Sequence, residues 1–504
     1  MLCRMRILKT SFLCLIVLIV ASLAFHQTPR PTIAQDNDPS PADRVAYFGD
    51  AMHPDFRDDI LAFPNAPFYT MDIALTVDDD QASISGTLSV KYTNQTPNIL
   101  NDIVFHLYPN LPSYGGQMTV SDVSIDNQSV TPSLDDTLSL LTIPLSTPSN
   151  PADTTLIQMN FVTTVFAEEI NLHAHFSYLN GALALPNFFP LLSVYDIGSG
   201  WWQNTAHPTG DAVYSETGFF DVTLTVPLEW ITITSGTRID STENEDAETR
   251  TSHYVAPLMR DFALMAYPRY GTLTDTVDGI TIDVHYLPGG LNGARSTLEY
   301  TTDSVRIFNT LFGHYPFSEL DVVETYTVAG GIVYPGLIVI QSESWNANNS
   351  YLQFVAVHEV AHQWWYSLVG NDQTRFPWVD ESLTQYATLL YYGHVYGSNT
   401  QNAILSDFED EWRTYAEAFG DQPLGQPVVD YMHHDDAYFH IIYQKGPLFF
   451  NTLADIYGQN NLVAALATYF STYRYGIVQP TDLQHSLEQT LNQDLDALFL
   501  EWVG

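Results

Sequence analysis

Hydrophobic and polar positions follow two different patterns along the chain. From about residue 65 to 271, apolar and polar residues alternate in runs that are broken by Pro, Asn, Asp and Gly. The run ASISGTLSVKY (82–92) places its apolar side chains on one face with a period of two, and FDVTLTV (220–226) does the same. This period is typical of antiparallel strands with one buried face. We therefore predict an antiparallel β domain over residues 65–271.

Helical spacing takes over after residue 272. One further strand, ITIDVHYL (280–287), precedes a segment in which apolar residues recur every three or four positions up to Gly313. Glycine often follows the last turn of a helix. We predict further helices at about 351–369 and 381–396, and others towards the C-terminus. The expected fold class is α+β and multidomain, with a mainly α-helical domain over residues 272–504.

The N-terminus resembles an export signal. Three basic residues precede an apolar run of fourteen residues, FLCLIVLIVASLAF (12–25), whereas about 20 residues are needed to span a bilayer. A basic head and a short apolar middle predict a signal peptide over residues 1–34, with cleavage after Ala24 or Ala34. The alternative is a retained membrane anchor at 12–25. Either way, we expect an exported protein, extracellular or at the cell surface.

Residues 35–64 open with a Pro-rich, polar stretch and are predicted to be a linker and lead-in. Both cysteines, Cys3 and Cys14, lie in the predicted signal segment. The remaining chain then contains no thiol, so any metal ion must be held by histidine and carboxylate side chains.

The charge balance is strongly acidic. The 504 residues include 58 Asp and Glu but only 17 Lys and Arg, which gives a net charge of −41. Such a surface repels nucleic acids and anionic lipids. We therefore expect no nucleic-acid partner, and no membrane contact beyond a possible N-terminal anchor. The sequence leaves the oligomeric state open.

The stretch HEVAHQWW (358–365) carries the clearest chemistry. His358 and His362 lie four positions apart, so a helix places both on one face, where they can bind the same ion. Glu359 is one step round the helix and can accept a proton from a metal-bound water. The alternative is a core helix with two hydrogen-bonded histidines and no metal.

A third ligand would distinguish these alternatives, because catalytic zinc usually has three protein ligands and one open position. The segment WVDESLTQY (378–386) contains Glu381, nineteen positions after His362. An isolated Glu at a helix start is more often a surface residue that stabilises the helix dipole. Together with the histidine pair, however, Glu381 is the expected third ligand. We expect Asp380, beside it, to cap the helix.

The chain resembles the gluzincin aminopeptidases, the family of membrane alanyl aminopeptidase and leukotriene hydrolase. Their signature is H-E-x-x-H, followed by eighteen residues and then by a Glu within W-x-x-E. Other segments from 65 to 504 look similar to bacterial members that lack the large C-terminal helical domain. These segments are VFHLYPN (104–110), NFFPLLSVYD (187–196), GDAVYSE (210–216), VYPGLIVIQ (333–341) and YQKG (443–446). The resemblance implies a saddle-like β domain followed by a thermolysin-like catalytic domain.

The resemblance also implies roles. His358, His362 and Glu381 would hold one Zn²⁺ per chain, and Glu359 would act as the general base and then the general acid. Tyr443 of YQKG would stabilise the oxyanion of the tetrahedral intermediate. The substrate would be a peptide or oligopeptide.

The sequence departs from the family where the substrate's free ammonium group is held. The family has a glutamate in G-x-M-E-N or G-x-M-E-Y-P, whereas this chain has GGIVYPG (330–336), with Val333 in the glutamate position. Valine offers neither charge nor acceptor, and a desolvated ammonium left without a partner is costly. Gly330 and Gly331 still suit a backbone edge that binds a peptide strand. Glu324 or Asp321 could replace the missing acid.

Three functions follow from these observations. The first is a zinc peptidase, aminopeptidase-like, with altered recognition of the N-terminus. The second is a zinc hydrolase that acts on internal peptide bonds or on non-peptide bonds. The third is a non-catalytic binding protein on a metallopeptidase fold, which the retention of all five expected metal-binding and catalytic residues disfavours.

Overall fold

The structure, a computed structural model, describes residues 39–504 apart from 172, 205–209, 211–212 and 434–435. Pro39–Gly504 form one compact unit. Strands dominate its first part and helices its second part. This confirms the predicted fold class, whereas the domain boundary at 271/272 stays a prediction.

The segment that was expected to be a linker differs from the prediction. Helix α1 (Pro41–Phe48) begins after Ser40, whose side chain accepts a hydrogen bond from the Asp43 N–H. Phe48 is fully buried and packs against Phe68 and Phe219 of the β domain, with ring centroids 5.8 and 5.1 Å apart. The apolar residues of this segment pack on the core. The prolines nearby had favoured a linker in the sequence analysis.

The β domain is built on an eight-stranded sheet. Neighbouring strands are antiparallel except for Phe68–Val77 and Gly218–Pro227, which run parallel. The alternation of buried and partly exposed residues in Gln81–Thr93 shows the predicted period of two. In spatial order the strands are Thr237–Asn244, Thr249–Met259, Gly218–Pro227, Phe68–Val77, Gln81–Thr93, Thr154–Phe166, Gln117–Ile125 and Gln128–Ser129.

Three smaller sheets complete this part. One four-stranded sheet has the order Ile231–Thr234, Leu264–Tyr267, Ala182–Leu185 and Ser177–Leu179. A second four-stranded sheet has the order Leu191–Leu192, Leu100–His106, Leu140–Ser149 and Ser133–Leu134. A two-stranded ribbon joins Tyr195–Asp196 to Gly200–Trp201. The first of these sheets shares an apolar cluster with the sheet that follows, so the two parts of the molecule pack firmly together.

The second part begins with a five-stranded mixed sheet. Its order is Gly271–Val277, Ile280–Tyr286, Glu319–Thr325, Leu337–Gln341 and Gly331–Tyr334. The last strand lies at the edge of the sheet and pairs antiparallel with Leu337–Gln341. This edge strand contains the segment that departs from the family pattern.

Helices pack on this sheet and on one another. The helix predicted over 351–369 ends at Ala361, because the chain then turns through Tyr366, which has a φ of 120°. A short parallel pair, Gly370–Asn371 with Ile477–Val478, joins the loop after this turn to the C-terminal helices. The helices are α2 (Leu291–Leu311), α3 (Ser350–Ala361), α4 (Leu383–Tyr396), α5 (Ser398–Phe419), α6 (Gly446–Tyr457), α7 (Gln459–Tyr473), α8 (Pro480–Leu491) and α9 (Asp496–Trp502).

In the part of the chain that the structure describes, no helix combines the length and the apolar character needed to cross a membrane. The predicted signal peptide or anchor (1–34) lies outside the described residues, so export stays a prediction.

Candidate active site

The two predicted histidine ligands lie at the end of α3. The helix begins at Ser350, where the Asn349 side chain accepts a hydrogen bond from the Tyr351 N–H. His358 lies in the last turn, and His362 directly follows Ala361. The two imidazole rings share one side of the helix, with centroids 4.7 Å apart.

Glu381 approaches them from a wide helical turn, Trp378–Ser382, which precedes α4. Its Oε2 atom lies 3.2 Å from Nε2 of His358 and 3.2 Å from Nε2 of His362, and these two nitrogens are 3.1 Å apart. All three side chains are buried. The turn is π-helical, a geometry that is frequent at functional sites. The structure therefore brings the three predicted ligands together.

The hydrogen bond that each imidazole ring makes through Nδ1 determines whether its other nitrogen, Nε2, offers a lone pair. Nδ1 of His358 lies 2.8 Å from Oε1 of Gln385, and Nδ1 of His362 lies 3.0 Å from the Trp365 carbonyl oxygen. Both oxygens can only accept, so both Nδ1 atoms carry hydrogen and donate. In a neutral ring Nε2 then presents a lone pair. With both rings neutral, two nitrogen lone pairs and a carboxylate thus converge on one point, an arrangement that a shared cation stabilises.

The distances fit a zinc ion. Tetrahedral zinc with bonds of about 2.0–2.1 Å holds its ligand atoms about 3.3 Å apart, close to the 3.1 and 3.2 Å between these three atoms. Two imidazoles and one carboxylate leave a fourth position open, as in catalytic zinc sites. The donor set therefore fits a metal ion that also binds water or substrate.

Charge interactions within the site are strong. Burial alone would lower the pKa of His362, but attraction to the Glu381 carboxylate outweighs it and raises that pKa to about 10. Burial likewise works against ionised Glu381, yet the two histidines, above all His362, hold its pKa well below the usual range. Glu381 therefore supplies the negative charge that favours a cation at this point.

Asp380 does not cap the helix as expected, since no side-chain cap forms at this turn. Its carboxylate accepts hydrogen bonds from the side-chain amides of Asn371 at 3.1 Å and Gln373 at 2.7 Å. Burial, followed by repulsion from Glu381, raises the pKa of Asp380 to about 7. Asp380 thus anchors the loop before the turn that presents Glu381.

Glu359, the predicted base, lies against the backbone of the edge strand. A Cβ atom built on Gly331 would lie 2.5 Å from Oε1 of Glu359, 2.6 Å from its Cγ and 2.7 Å from Cγ1 of Val355. No real side-chain contact is this short, so position 331 admits only glycine while Glu359 keeps this position. Gly331 therefore sets the close approach between the base and the strand that would face a substrate.

We expect the substitution G331A to lower kcat/KM for peptide hydrolysis by roughly 10- to 100-fold, because displacing a reacting group by about 1 Å is enough to do so. Zinc content should be unchanged, because the metal ligands are not touched. The substitution G49A is a matched control, since a Cβ there meets its nearest atom, Cδ of Arg57, at 3.5 Å. Equal activities of the two variants would contradict this geometry.

Tyr443 lies on a second π-helical turn, Phe439–Lys445. Its hydroxyl donates a hydrogen bond to Oε1 of Glu381 at 2.6 Å, and its ring centroid is 5.9 Å from that of His358. Lys445 of the same YQKG segment points elsewhere and donates to Asp421 Oδ2 at 2.7 Å and to the Gln422 carbonyl at 2.6 Å. Tyr443 thus stands beside the metal ligands, while Lys445 fixes the turn that carries it.

A cavity of about 450 Å³ opens over these groups. Gly331 and Val333 line it, and their predicted role in substrate binding stays a prediction. Gly330 instead forms the turn into the edge strand, with a φ of 88°, and its N–H donates to Oε1 of Gln341 at 3.2 Å. Aromatic rings form much of the remaining wall; they belong to Tyr351, Phe354, Tyr438 and Phe439.

Neither acid suggested as a substitute for the missing family glutamate lines this cavity. Oε2 of Glu324 accepts a hydrogen bond from the Leu287 N–H at 2.9 Å. Asp321 pairs with Nε2 of His285 at 2.9 Å. Both carboxylates thus have structural partners away from the metal ligands.

The residues that orient the ligands, and those that the β domain contributes to the cavity wall, were not predicted from the sequence. Gln385 follows Glu381 by four positions, so helical spacing alone could have placed it beside the site. Asp261 and Asn187, in contrast, come from the β domain and also line the cavity. Asn187 opens the segment NFFPLLSVYD that carries part of the family resemblance, whereas nothing in the sequence around Asp261 distinguishes it from other buried polar residues.

Comparison with known proteins shows what this chain is similar to. Residues 296–502 match the peptidase family M1 domain. The chain is 26% identical over 304 residues to aminopeptidase M1-C of Oryza sativa subsp. japonica, and 23% identical over 296 residues to aminopeptidase M1-B of the same organism. Each alignment covers 56% of this chain and 34% of the relative. The chain thus spans about a third of the length of these relatives.

The fold is similar to the crystal structure of an M1 zinc metallopeptidase from Deinococcus radiodurans, with a TM-score of 0.64 and 18% identity. That match covers 87% of this chain and 94% of the other. The succession of a β domain and a helical domain is therefore shared over almost the whole of the described chain. The resemblance to the gluzincin aminopeptidases is thereby confirmed, and residues 296–502 carry it as the stretch that matches the peptidase family M1 domain.

Proposed function

We propose that this protein is a zinc-dependent metallopeptidase, aminopeptidase-like, whose recognition of the substrate N-terminus is altered because Val333 replaces the family glutamate. One observation carries the proposal: the lone pairs of His358, His362 and Glu381 converge at separations of 3.1–3.2 Å within a cavity that also contains Glu359. That arrangement provides a metal position, a base and room for a substrate.

Each residue then has a chemical task. A zinc ion held by the three ligands would supply Lewis acidity to the scissile carbonyl and lower the pKa of a bound water. Glu359 accepts a proton from the attacking water and delivers it to the leaving amine. The Tyr443 hydroxyl, released from Glu381 when a substrate enters, donates a hydrogen bond to the developing oxyanion.

The edge strand Gly331–Tyr334 supports a peptide substrate. It ends the five-stranded sheet, so the sheet offers this edge for an extended peptide to continue the hydrogen-bond ladder. Glu359 lies against the same strand through Gly331. A peptide bound there would pass its backbone directly over the base and the metal ligands.

Val333 favours a second candidate, hydrolysis of internal peptide bonds or of non-peptide bonds. Its side chain lines the cavity and is 6% exposed. A neutral, apolar group at this point removes the charge with which the family selects a free terminus. A non-catalytic binding protein is disfavoured, because the three ligands, Glu359 and Tyr443 are grouped as hydrolysis requires.

One paired measurement tests the proposal: turnover of matched peptides with free and with acetylated N-termini, together with zinc content by mass spectrometry. We expect one zinc per chain and cleavage of at least one of the two peptides. Preference for the free terminus supports the aminopeptidase-like function, and equal or reversed rates support the second candidate. Zinc without turnover in a broad peptide library would contradict both.

We also expect the substitution V333E to raise the preference for a free N-terminus, because it restores a carboxylate at the family position. A charge-assisted hydrogen bond to ammonium should change the ratio of kcat/KM values by roughly 10-fold or more. The ratio for free and acetylated alanyl anilides measures this. An unchanged ratio in a folded, zinc-loaded variant would show that position 333 does not face the substrate terminus.

A further inference from the structure

The cavity wall carries acidic side chains but no basic ones of fixed charge among the described residues. Among the described residues that line it, three carry a carboxylate: Glu359, Glu381 and Asp261. Glu359 and Glu381 are assigned to the water and to the metal. Among the described residues that line the cavity there is no lysine or arginine. Asp261 is thus an acidic group without a role in the proposed chemistry.

Hydrogen bonds hold Asp261 in place from two sides. It follows the strand Thr249–Met259 and is 1% exposed. Its Oδ1 accepts from the Phe262 N–H at 2.6 Å, and its Oδ2 accepts from Nδ2 of Asn187 at 2.5 Å. Oδ1 of Asn187 in turn accepts from the Tyr114 hydroxyl at 2.9 Å. Each carboxylate oxygen has a further lone pair for another donor.

The neighbouring arginine does not neutralise Asp261. Nε of Arg260 donates to the Tyr366 carbonyl at 3.0 Å, and its NH1 donates to the Ser215 carbonyl at 3.0 Å. Arg260 is therefore engaged with backbone groups that join the β domain to the loop after α3. His175, also in the cavity wall, stays uncharged near neutral pH, because burial lowers its pKa to about 4.

Burial raises the pKa of Asp261 to about 7 against the opposing hydrogen bonds from Phe262 and Asn187. A buried carboxylate with neutral neighbours gains most from a cation that enters the cavity, since the attraction is strong where water is excluded. Val333, which also lines the cavity, offers no such group. In the described part of this cavity wall, a cationic nitrogen therefore has Asp261 as its anionic partner outside the metal site.

We propose that Asp261, oriented by Asn187 and Tyr114, anchors a cationic nitrogen of the substrate. That nitrogen is either the α-ammonium group of a free N-terminus or the charged group of a basic side chain; both offer N–H donors and a positive charge. The inference rests on the proposed peptidase function and adds a preference for substrates that carry a cationic nitrogen. Specificity for a cation then comes from the β domain instead of from the edge strand.

Three anilides distinguish the two sources of charge. Alanine 4-nitroanilide carries only an α-ammonium, N-acetyllysine 4-nitroanilide carries only a side-chain ammonium, and N-acetylalanine 4-nitroanilide carries neither. We expect D261N to lower kcat/KM roughly 10- to 100-fold for one or both cationic substrates, because a hydrogen bond to a charged group is lost. The change for N-acetylalanine 4-nitroanilide should stay within about threefold. The affected substrate identifies the nitrogen that Asp261 binds.

The variant should fold, because its hydrogen bonds can rearrange. The new amide can still accept from the Phe262 N–H. If the Asn187 amide turns over, its oxygen accepts from the new amide and its nitrogen donates to the Tyr114 hydroxyl. Thermal melting and zinc content check this directly.

The substitution E324Q is the matched control. Glu324 is also a buried acid, 5% exposed, whose pKa burial raises to about 7, but it does not line the cavity. We expect E324Q to leave the ratios among the three anilides unchanged. Equal loss on all three substrates with D261N, no loss on any, or the same selective loss with E324Q would overturn the inference.

A binding measurement separates this inference from the proposed function. Alanine hydroxamate and N-acetylalanine hydroxamate both carry a metal-binding group, but only the first carries an ammonium. If Asp261 holds the α-ammonium group, the wild-type protein should bind alanine hydroxamate roughly 10-fold or more tightly than N-acetylalanine hydroxamate. The D261N variant should bind the two compounds with equal affinity. Lysine hydroxamates with the α-amine acetylated test the side-chain source in the same way. Absence of turnover in the broad peptide library contradicts the peptidase function, whereas absence of both hydroxamate preferences contradicts the role of Asp261.

Discussion

Replacing Glu359 with glutamine is expected to lower kcat for peptide hydrolysis by about 10²- to 10⁴-fold, the contribution typical of general acid–base catalysis. Glutamine has nearly the same shape as glutamate and preserves the packing against Gly331, but its amide cannot accept a proton from water. The metal ligands His358, His362 and Glu381 are unchanged in the variant. We therefore expect one zinc per chain, measured by mass spectrometry, beside the loss of turnover.

The control for E359Q is again E324Q, which removes the same charge from a buried position outside the cavity. It should retain the wild-type kcat within a small factor. Activity of E359Q near the wild-type level would show that another group takes the proton and would contradict the proposed mechanism. Loss of zinc from E359Q would show instead that Glu359 supports the metal ligands.

Replacing Glu381 with glutamine is expected to remove the metal and, with it, more than about 100-fold of the activity. Glu381 is the one anionic ligand of the three, and its charge is what holds two buried imidazoles and a cation together. A neutral amide oxygen is a far weaker zinc ligand. We expect zinc content after dialysis to fall well below one per chain, with partial recovery of activity at high added zinc.

A graded control for E381Q is Q385L. Gln385 orients His358 through the hydrogen bond of 2.8 Å to Nδ1 but does not reach the metal position. Loss of such a supporting group typically costs about 10- to 100-fold in metal affinity, so Q385L should bind zinc more weakly than the wild type but more tightly than E381Q. The predicted metal site would be wrong if E381Q kept one zinc per chain at wild-type affinity.

Part of this site could be predicted from the sequence because it is local. The spacing of His358 and His362 equals one helical turn, so any helix brings them to one face. Glu381 was less certain from spacing alone, because its return to the histidines depends on the loop between two helices; the histidine pair made it the expected third ligand, and the family resemblance agreed. The alternation over residues 65–271 likewise predicted the β domain, because a period of two follows from strand geometry.

Other features could not be predicted, because they depend on contacts between distant segments. Helix α3, which carries His358, ends earlier than its apolar pattern suggested. The turn at Tyr366 then brings the Trp365 carbonyl to His362. The segment 35–64 packs on the β domain through the contact between Phe48 and Phe219. A contact between residues so far apart in the chain leaves no pattern in the local sequence. Glu324 and Asp321 looked available in the sequence but have partners outside the cavity.

By itself, the sequence determined the succession of strands and helices and the presence of a histidine pair with an adjacent acid, because these follow from spacing along one segment. The tertiary structure decided which lone pairs point at one another, why position 331 must be glycine, and that Asp261 lines the cavity whereas Glu324 and Asp321 do not. Those properties belong to atoms from separate segments, and only packing of the β domain against the helices sets their distances.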